Sequence, residues 1–334
     1  MNSDATSFER KPLISVVIPY YQRDRGVLGR CIRSILSQNG NFDLRVVITD
    51  DGSPLAALEE LSLDGCTDPR VRVLLQENSG AGSARNKALD NIDPETEYIA
   101  LMDSDDEWLD GYLACAVNAL ERGNDLFFSD SRRFSQEKSR FRWEKTEALN
   151  LKGDAHLLLD PEESLYQYKG DFFDYMVRRS SIVSSSAMVF RKEKASDLRF
   201  NPHLRNGQDR LFKLQLSYRV DKVVFSTRVL CSEGEGVNIF DSAHWGSVKA
   251  LRLSASYIDL AKVILAELEL NDEQKAYVSS QLADARLEFV AGVLHLLRRR
   301  KSFDFRQVAT VIARDPALLA CLITFPVLTM RRRK

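Results

Sequence analysis

At 334 residues, 44% hydrophobic and 28% charged, the composition is that of a soluble globular protein with room for one large domain and an appendage. The five cysteines (Cys31, Cys66, Cys115, Cys231, Cys321) include no C-x-x-C pair and no metal-like spacing, so they read as buried or free thiols of a reducing compartment. The net charge of -1 conceals an asymmetry: residues 298–334 hold ten Lys or Arg against two Asp. A mildly acidic body with a basic tail points to an anionic surface as partner and argues against a nucleic-acid groove.

In chain order, residues 1–12 are polar, without the apolar core of a secretory signal, and are expected to be flexible. Residues 13–18 (LISVVI) form a continuous β-branched run, as expected for a strand buried on both faces of a parallel sheet. Leu28, Ile32, Ile35 and Leu36 then recur at helical spacing. Residues 44–49 (LRVVIT) form a second strand, stopped by Asp50-Asp51-Gly52-Ser53-Pro54, a turn signal that also leaves two carboxylates at a strand end. Residues 71–75 predict a third strand, and Asn78-Ser79-Gly80-Ala81-Gly82 a loop into a helix over 83–91.

Residues 98–107 (YIALMDSDDE) run from a buried strand into four acids within five residues. Crowded carboxylates repel one another, and a hard divalent cation shared with substrate phosphates is one way to stabilise them. The other reading is local: Ser104 and Glu107 have capping-box spacing for a helix over 108–122. A strand at 125–129 follows. Strands and helices alternating through short connections predict a doubly wound α/β sheet. Ligands of such sheets sit beyond the carboxyl ends of the strands, so Asp51 and the Asp103/Asp105 pair converge on one site.

Residues 132–180 show no clear period and suggest a loop-rich insertion serving as lid or substrate surface. Residues 184–190 and 222–225 look like further strands, and Gly207-Gln208-Asp209 opens a helix to about residue 218. Leu251, Ala255, Ile258, Ala261, Leu265 and Leu268 make a helical stripe, and Asn271 with Gln274 predicts a capping box for a second helix reaching 297. Residues 317–330 are mostly apolar, too short to span a bilayer, and flanked by Arg298-Arg299-Arg300-Lys301 and Arg331-Arg332-Arg333-Lys334. An interfacial segment fits that pattern; a core helix with a solvated basic end is the alternative.

Four ordered blocks carry a resemblance. Ser15-Val16-Val17-Ile18-Pro19-Tyr20-Tyr21, Asp50-Asp51-Gly52-Ser53, Asn78-x-Gly80-x-x-x-Ala84-Arg85-Asn86 and Asp103-Ser104-Asp105-Asp106 resemble the family-2 inverting glycosyltransferases of GT-A fold. With Gly207-Gln208-Asp209 the resemblance covers roughly two-thirds of the chain. It implies an α/β, GT-A doubly wound nucleotide-diphospho-sugar transferase fold over 13–240, its nucleotide-sugar half 13–130 and its acceptor half 131–240. A C-terminal helical region over 245–334 ends in the basic, membrane-associated tail. It also implies a nucleotide-diphosphate sugar donor (a UDP-sugar is expected), Mn²⁺ or Mg²⁺, and a glycan or lipid-linked hydroxyl acceptor. The expected setting is cell-surface polysaccharide or glycoconjugate synthesis, cytoplasmic and peripheral at the inner face of the membrane.

Residue by residue, the resemblance places Pro19 and Tyr21 in the nucleotide pocket and Asp51 as acceptor for the base. Arg85 falls beside base and phosphates, with a structural pairing to Asp51 as the alternative. Asp103 resembles the ribose-contacting member of the D-x-D motif and Asp105 its metal ligand. Asp209 matches the general base of the family's "ED" motif, with Gln208 where Glu is usual; a plain helix N-terminal carboxylate is the alternative. Residues 232–238 lie where members carry a loop closing over the diphosphate, and His244 is a further candidate for the metal shell. A catalytically degenerate nucleotide-sugar-binding or membrane-associated module is the competing function.

Overall fold

The computed structural model describes residues 10–234 and 244–322. Of these, 10–200 and 212–234 make one compact unit, and 201–211 with 244–322 a second.

The first unit begins with β1 (Leu13–Tyr20), α1 (Val27–Leu36), β2 (Asp43–Asp50), α2 (Ala57–Leu63), β3 (Val71–Leu75), α3 (Ala81–Leu89) and β4 (Tyr98–Leu101). In β1 the period of two sends Ile14, Val16, Ile18 and Tyr20 into one core with Leu28, Cys31, Ile32 and Ile35 of α1. Ser15 and Val17, on the other face, are also fully buried, and α3 packs on β1 and β2 from that side. Each such Val or Ile contributes about 1.5–3 kcal/mol on burial. The β1 register runs parallel with both β2 and β4 (Val16 opposite Val46 and Ala100), so the carboxyl ends of three neighbouring strands lie side by side. α1 has no side-chain N-cap; the buried Glu60 carboxylate accepts instead from the Leu28 amide (2.9 Å) and the Tyr20 hydroxyl (2.7 Å).

The acidic stretch departs from its local reading. Glu107–Trp108 is a short strand, β5, and the following helix α4 (Tyr112–Glu121) starts only after Gly111, at φ +82°. Ser104 and Glu107 form no capping box: the Ser104 hydroxyl accepts from Gln22 (3.1 Å) and Glu107 pairs with Arg30 (3.2 Å). The Trp108 indole donates to the Ser186 carbonyl (2.7 Å) and its amide to the Ser34 hydroxyl (3.1 Å). Partners far along the chain outweigh the local cap.

β6 (Leu126–Arg133) follows. Residues 132–180 are more ordered than their sequence suggests. They contain short 3₁₀ turns, the hairpin β7 (Leu157–Asp160) and β8 (Leu165–Gln167), and α5 (Phe172–Arg179), capped by Asp171. Their order is non-local: β8 pairs antiparallel with β10 (Val223–Glu233), and Phe128, Phe141 and Tyr168 cluster around Phe225, with Phe172 stacked on Phe128. β9 is Met188–Arg191, and α6 (Gln208–Ser217) precedes β10. The sheet order is β3-β2-β1-β4-β9-β6-β10-β8-β7, with β9 antiparallel between β4 and β6, so the doubly wound parallel half continues into a mixed half.

The second unit is helical: α7 (Val248–Glu267), α8 (Asp272–Arg298) and α9 (Phe305–Arg314). The Asn271–Gln274 capping box forms at α8 as expected, and Arg286 clamps Asp315 through two hydrogen bonds (2.7 and 2.8 Å). Among the described residues no helix is long and apolar enough to cross a membrane, and no disulfide forms. Most of the apolar segment 317–330 lies outside the described residues.

Candidate active site

Adjacent carboxyl ends of β1, β2 and β4 deliver Pro19 and Tyr21, Asp51, and Asp103 with Asp105 to one edge of the sheet. Pro19 is buried and Tyr21 half-buried, two residues apart and so on the same side of the chain as it leaves β1.

The paired aspartates after β2 divide their work. Asp50 accepts from the amides of Ser53 and Ala57 (both 2.8 Å), closing the turn and capping α2. Asp51 takes hydrogen bonds from Gln76 Nε2 (2.7 Å) and the amides of Ser79 (2.7 Å) and Gly80 (2.8 Å). These anchor the loop that leads into α3 and use three of a carboxylate's roughly four acceptor positions. Gly52, at φ +64°, allows this crossing; a Cβ there would meet the Asn78 amide nitrogen at 3.0 Å.

Arg85, on α3, does not pair with Asp51. Its buried guanidinium donates to Asp103 and lies over the Phe200 ring at 5.2 Å. Its Nε and Nη1 have no hydrogen-bond partner among the described residues. A buried cation countered by one half-exposed carboxylate favours an arriving anion.

In the acidic turn, Asp103 and Asp105 are half-buried while Ser104 and Asp106 are buried. The Asp106 carboxylate accepts from the Gly234 amide (2.8 Å) and from Ser186. Burial, then the charges of Asp105 and Asp103, pushes the Asp106 carboxyl well above the usual carboxylate range. Burial and the same acids raise the Cys31 thiol, whose sulfur donates to the Asp103 carbonyl (3.6 Å). Gly234 approaches so closely that a Cβ on it would sit 2.0 Å from the Asp105 carbonyl oxygen.

Next to Gly234, Glu233 is buried in a doubly hydrogen-bonded pair with Arg140 and also accepts from Ser131 (2.7 Å). Burial works to raise Glu233, but Arg140, Ser131 and Arg133 overcome it and hold the carboxyl below its ordinary value. In this supporting layer Glu233 and Gly234 belong to the loop expected over 232–238 and Ser186 to the strand expected over 184–190. The pairing of Glu233 with Arg140 and the contacts to the acidic turn escaped the sequence reading because the partners are far apart in the chain.

Three or more His, Cys, Asp or Glu side chains that could cage a metal do not come together among the described residues. The chemistry of the donor set nonetheless fits a hard cation held by one or two carboxylates and completed by substrate phosphates, the usual arrangement for Mg²⁺. Asp105, half-buried in the acidic turn, is the carboxylate expected in that role.

Asp209 stands in the first turn of α6, half-buried, after buried Gln208. It belongs to the second unit, in which Arg210 donates to Gln281 of α8 (2.8 Å). Gly207, at φ +81°, leaves no room for a Cβ beside Leu260. His244 is exposed and also in the second unit. Of the expected closing loop, only residues before 235 are described.

The family model for glycosyl transferase family 2 matches residues 15–199, from β1 through β9. The chain belongs to glycosyl transferase family 2. The succinoglycan biosynthesis protein ExoW of Rhizobium meliloti is 27% identical over 319 residues, 92% of this chain and 95% of that protein. The GalNAc(5)-diNAcBac-PP-undecaprenol beta-1,3-glucosyltransferase of Campylobacter jejuni is 24% identical over 79% of this chain and 77% of its own length. Among solved structures, S. aureus TarS 1-349 superimposes with a TM-score of 0.55 at 15% identity, covering 83% of this chain and 72% of that one. The mannosyltransferase PcManGT of Pyrobaculum calidifontis, solved with GDP-Man and Mn²⁺, gives 0.55 at 14% identity over 98% and 89%. The fold is thus the GT-A type, and the chain is a glycosyltransferase.

Proposed function

We propose that this glycosyltransferase is metal-dependent and inverting, and moves a sugar from a nucleotide-diphosphate donor to a glycan or lipid-linked hydroxyl in cell-surface polysaccharide or glycoconjugate synthesis. The observation that carries the proposal is the convergence of Tyr21, Asp51 and the Asp103/Asp105 pair at the adjacent ends of β1, β2 and β4, with Arg85 of α3 paired to Asp103. The named roles of ExoW and of the undecaprenol-linked glucosyltransferase support the acceptor class. TarS, also solved with UDP-GlcNAc, supports UDP as the first nucleotide to test.

In this reading Pro19 and Tyr21 line the base pocket, and Asp51 uses its remaining acceptor position for a base N–H. Asp103 meets the ribose, held in place by Arg85, whose charge also favours the phosphates. Asp105 would hold Mn²⁺ or Mg²⁺, which would neutralise the charge growing on the departing nucleoside diphosphate. A carboxylate oxygen of Asp209 takes the acceptor hydroxyl proton. The acceptor oxygen forms the new bond to the anomeric carbon from the side opposite the leaving group. The old carbon–oxygen bond breaks with its electron pair on the phosphate.

Asp105→Ala tests the donor half. It should abolish Mn²⁺-dependent stabilisation by UDP-, GDP-, dTDP- or CMP-sugars in a thermal-shift screen while leaving circular dichroism unchanged. Undiminished, still metal-dependent binding would remove Asp105 from the role.

The same proposal places the enzyme on the cytoplasmic side, at the inner membrane face. In the second unit Phe305 and Trp245 are 64% and 66% exposed, Leu297 ends α8 exposed, and four basic residues (298–301) follow. Each basic residue near an anionic bilayer contributes about 1 kcal/mol. Sedimentation with phosphatidylserine vesicles should fall with salt and with joint replacement of Arg298, Arg299, Arg300 and Lys301 by Gln. Equal sedimentation with neutral vesicles would count against it.

A further inference from the structure

Residues between β6 and β7, together with Ser181, line a wide-open depression of about 490 Å³, within the roughly 300–1,000 Å³ of small-molecule sites. Trp143 and Leu149 contribute apolar surface to it, and Gln136, Glu144, Lys145, Thr146 and Ser181 bring hydrogen-bonding groups. Trp143 is half-buried and held in place, since the Arg140 guanidinium lies over its ring at 4.7 Å. Arg140 is itself locked by Glu233 and the Ser181 carbonyl, and Glu144 by Arg179 (3.1 Å). The fixed aromatic surface is therefore joined through one ion pair, Arg140–Glu233, to the residue before Gly234, whose amide supports the acidic turn.

We propose that this cleft is a binding subsite for a sugar residue of the acceptor chain. A pyranose has an apolar face of axial C–H groups and a rim of hydroxyls. An indole edged by amide, carboxylate, ammonium and hydroxyl groups complements both at once. A nucleotide is the weaker match, because Lys145 is the single cationic side chain in the lining to set against a diphosphate's charge, with the Glu144 carboxylate beside it. The rigidity matters too: Trp143 is already ordered by Arg140, so little side-chain entropy is lost when a sugar settles on it. The inference rests on the glycan-acceptor reading given above.

The chain has three tryptophans, Trp108, Trp143 and Trp245, so 5-fluorotryptophan labelling of the full protein gives three fluorine signals, with Trp143→Phe assigning one. Cellotetraose, laminaritetraose and chitotetraose serve as probes. At least one should move the Trp143 signal selectively, with a Kd on the order of 1 mM. Trp143→Ala should weaken that binding about tenfold or more, the size of one aromatic contact, without changing metal-dependent donor binding in the thermal-shift screen. An unmoved Trp143 signal with all three probes, or movement confined to Trp108 or Trp245, overturns the subsite. Should Trp143→Ala fail to fold, the signals of the parent protein still decide. Loss of donor binding in the parent would count against the proposed function alone, because the fluorine signals report on the cleft independently of donor.

Discussion

Arg85 and Asp103, eighteen positions apart, form an ion pair whose two ends live in different environments: the side chains are 5% and 40% exposed. The cation lies in the interior over Phe200, and the carboxylate stays partly exposed beyond the end of β4. The pair thus fixes the first acid of the cluster in direction while keeping part of its surface available to a ligand.

Removing the carboxylate leaves the guanidinium buried without its counter-charge. Asp103→Asn should destabilise the protein by about 1–2 kcal/mol, less than a fully buried pair because the carboxylate is partly solvated. A urea-unfolding double-mutant cycle with Arg85→Ala should show coupling of at least about 0.5 kcal/mol. Additive single effects would mean the two groups act separately.

Gly234 is constrained by space. Its missing side chain lets the chain pass the Asp105 carbonyl, where a Cβ would lie at 2.0 Å, and its amide reaches Asp106 at 2.8 Å. Gly234→Ala must therefore push the acidic turn and the end of β10 apart. A loss of about 1–3 kcal/mol in unfolding free energy is expected, with weakened donor binding. Parent-like thermal stability and donor affinity would show that the contact is not tight.

Asp209→Asn preserves size and hydrogen bonding but cannot accept the proton. Turnover should fall by about 10²–10⁴-fold with donor affinity hardly changed. Gln208→Glu, which restores the pair usual in the family, should remain active. Turnover within a few-fold of the parent in Asp209→Asn would move the base elsewhere; loss of donor binding would make Asp209 a structural group.

Asp130 offers a pH signature. It is buried beneath the insertion, and burial pushes its carboxyl from 3.8 up to about 6, against the opposing hydrogen bonds from Ser139, Phe141 and Ser131. Between those two values the folded protein holds a proton that the unfolded chain has released. Stability contributed by this group is therefore highest below pH 4 and is lost as pH rises towards 6, with a slope of at most about 1.4 kcal/mol per unit. Asp130→Asn keeps an oxygen acceptor and should flatten this segment of the stability–pH curve in urea titrations. An unchanged slope would assign it to other groups.

The half of the sheet from β1 to β4 was legible because its information is local. A run rich in Val and Ile such as 13–18 reads as a strand buried on both faces, and acids just after a strand must lie at its carboxyl end, so β1, β2, β4 and the acids beyond them follow from short stretches. The Asn271–Gln274 cap was equally local and formed as read. Tertiary structure alone decided the rest. Ser104 and Glu107 had the spacing of a helix cap, yet Gln22 and Arg30 claimed them, and a strand pairing with β10 replaced the first turn of the expected helix. The hairpin and aromatic cluster of 132–180 owe their order to β10, reached more than fifty residues later, and no short window can contain that pairing. Arg85 could be assigned to the site from its motif, but whether its charge met Asp51 or Asp103 depended on distances across the folded sheet. Local backbone preference amounts to tenths of a kcal/mol per residue, whereas a buried charge left unpaired costs several. Where the two compete, the partner brought by the fold decides.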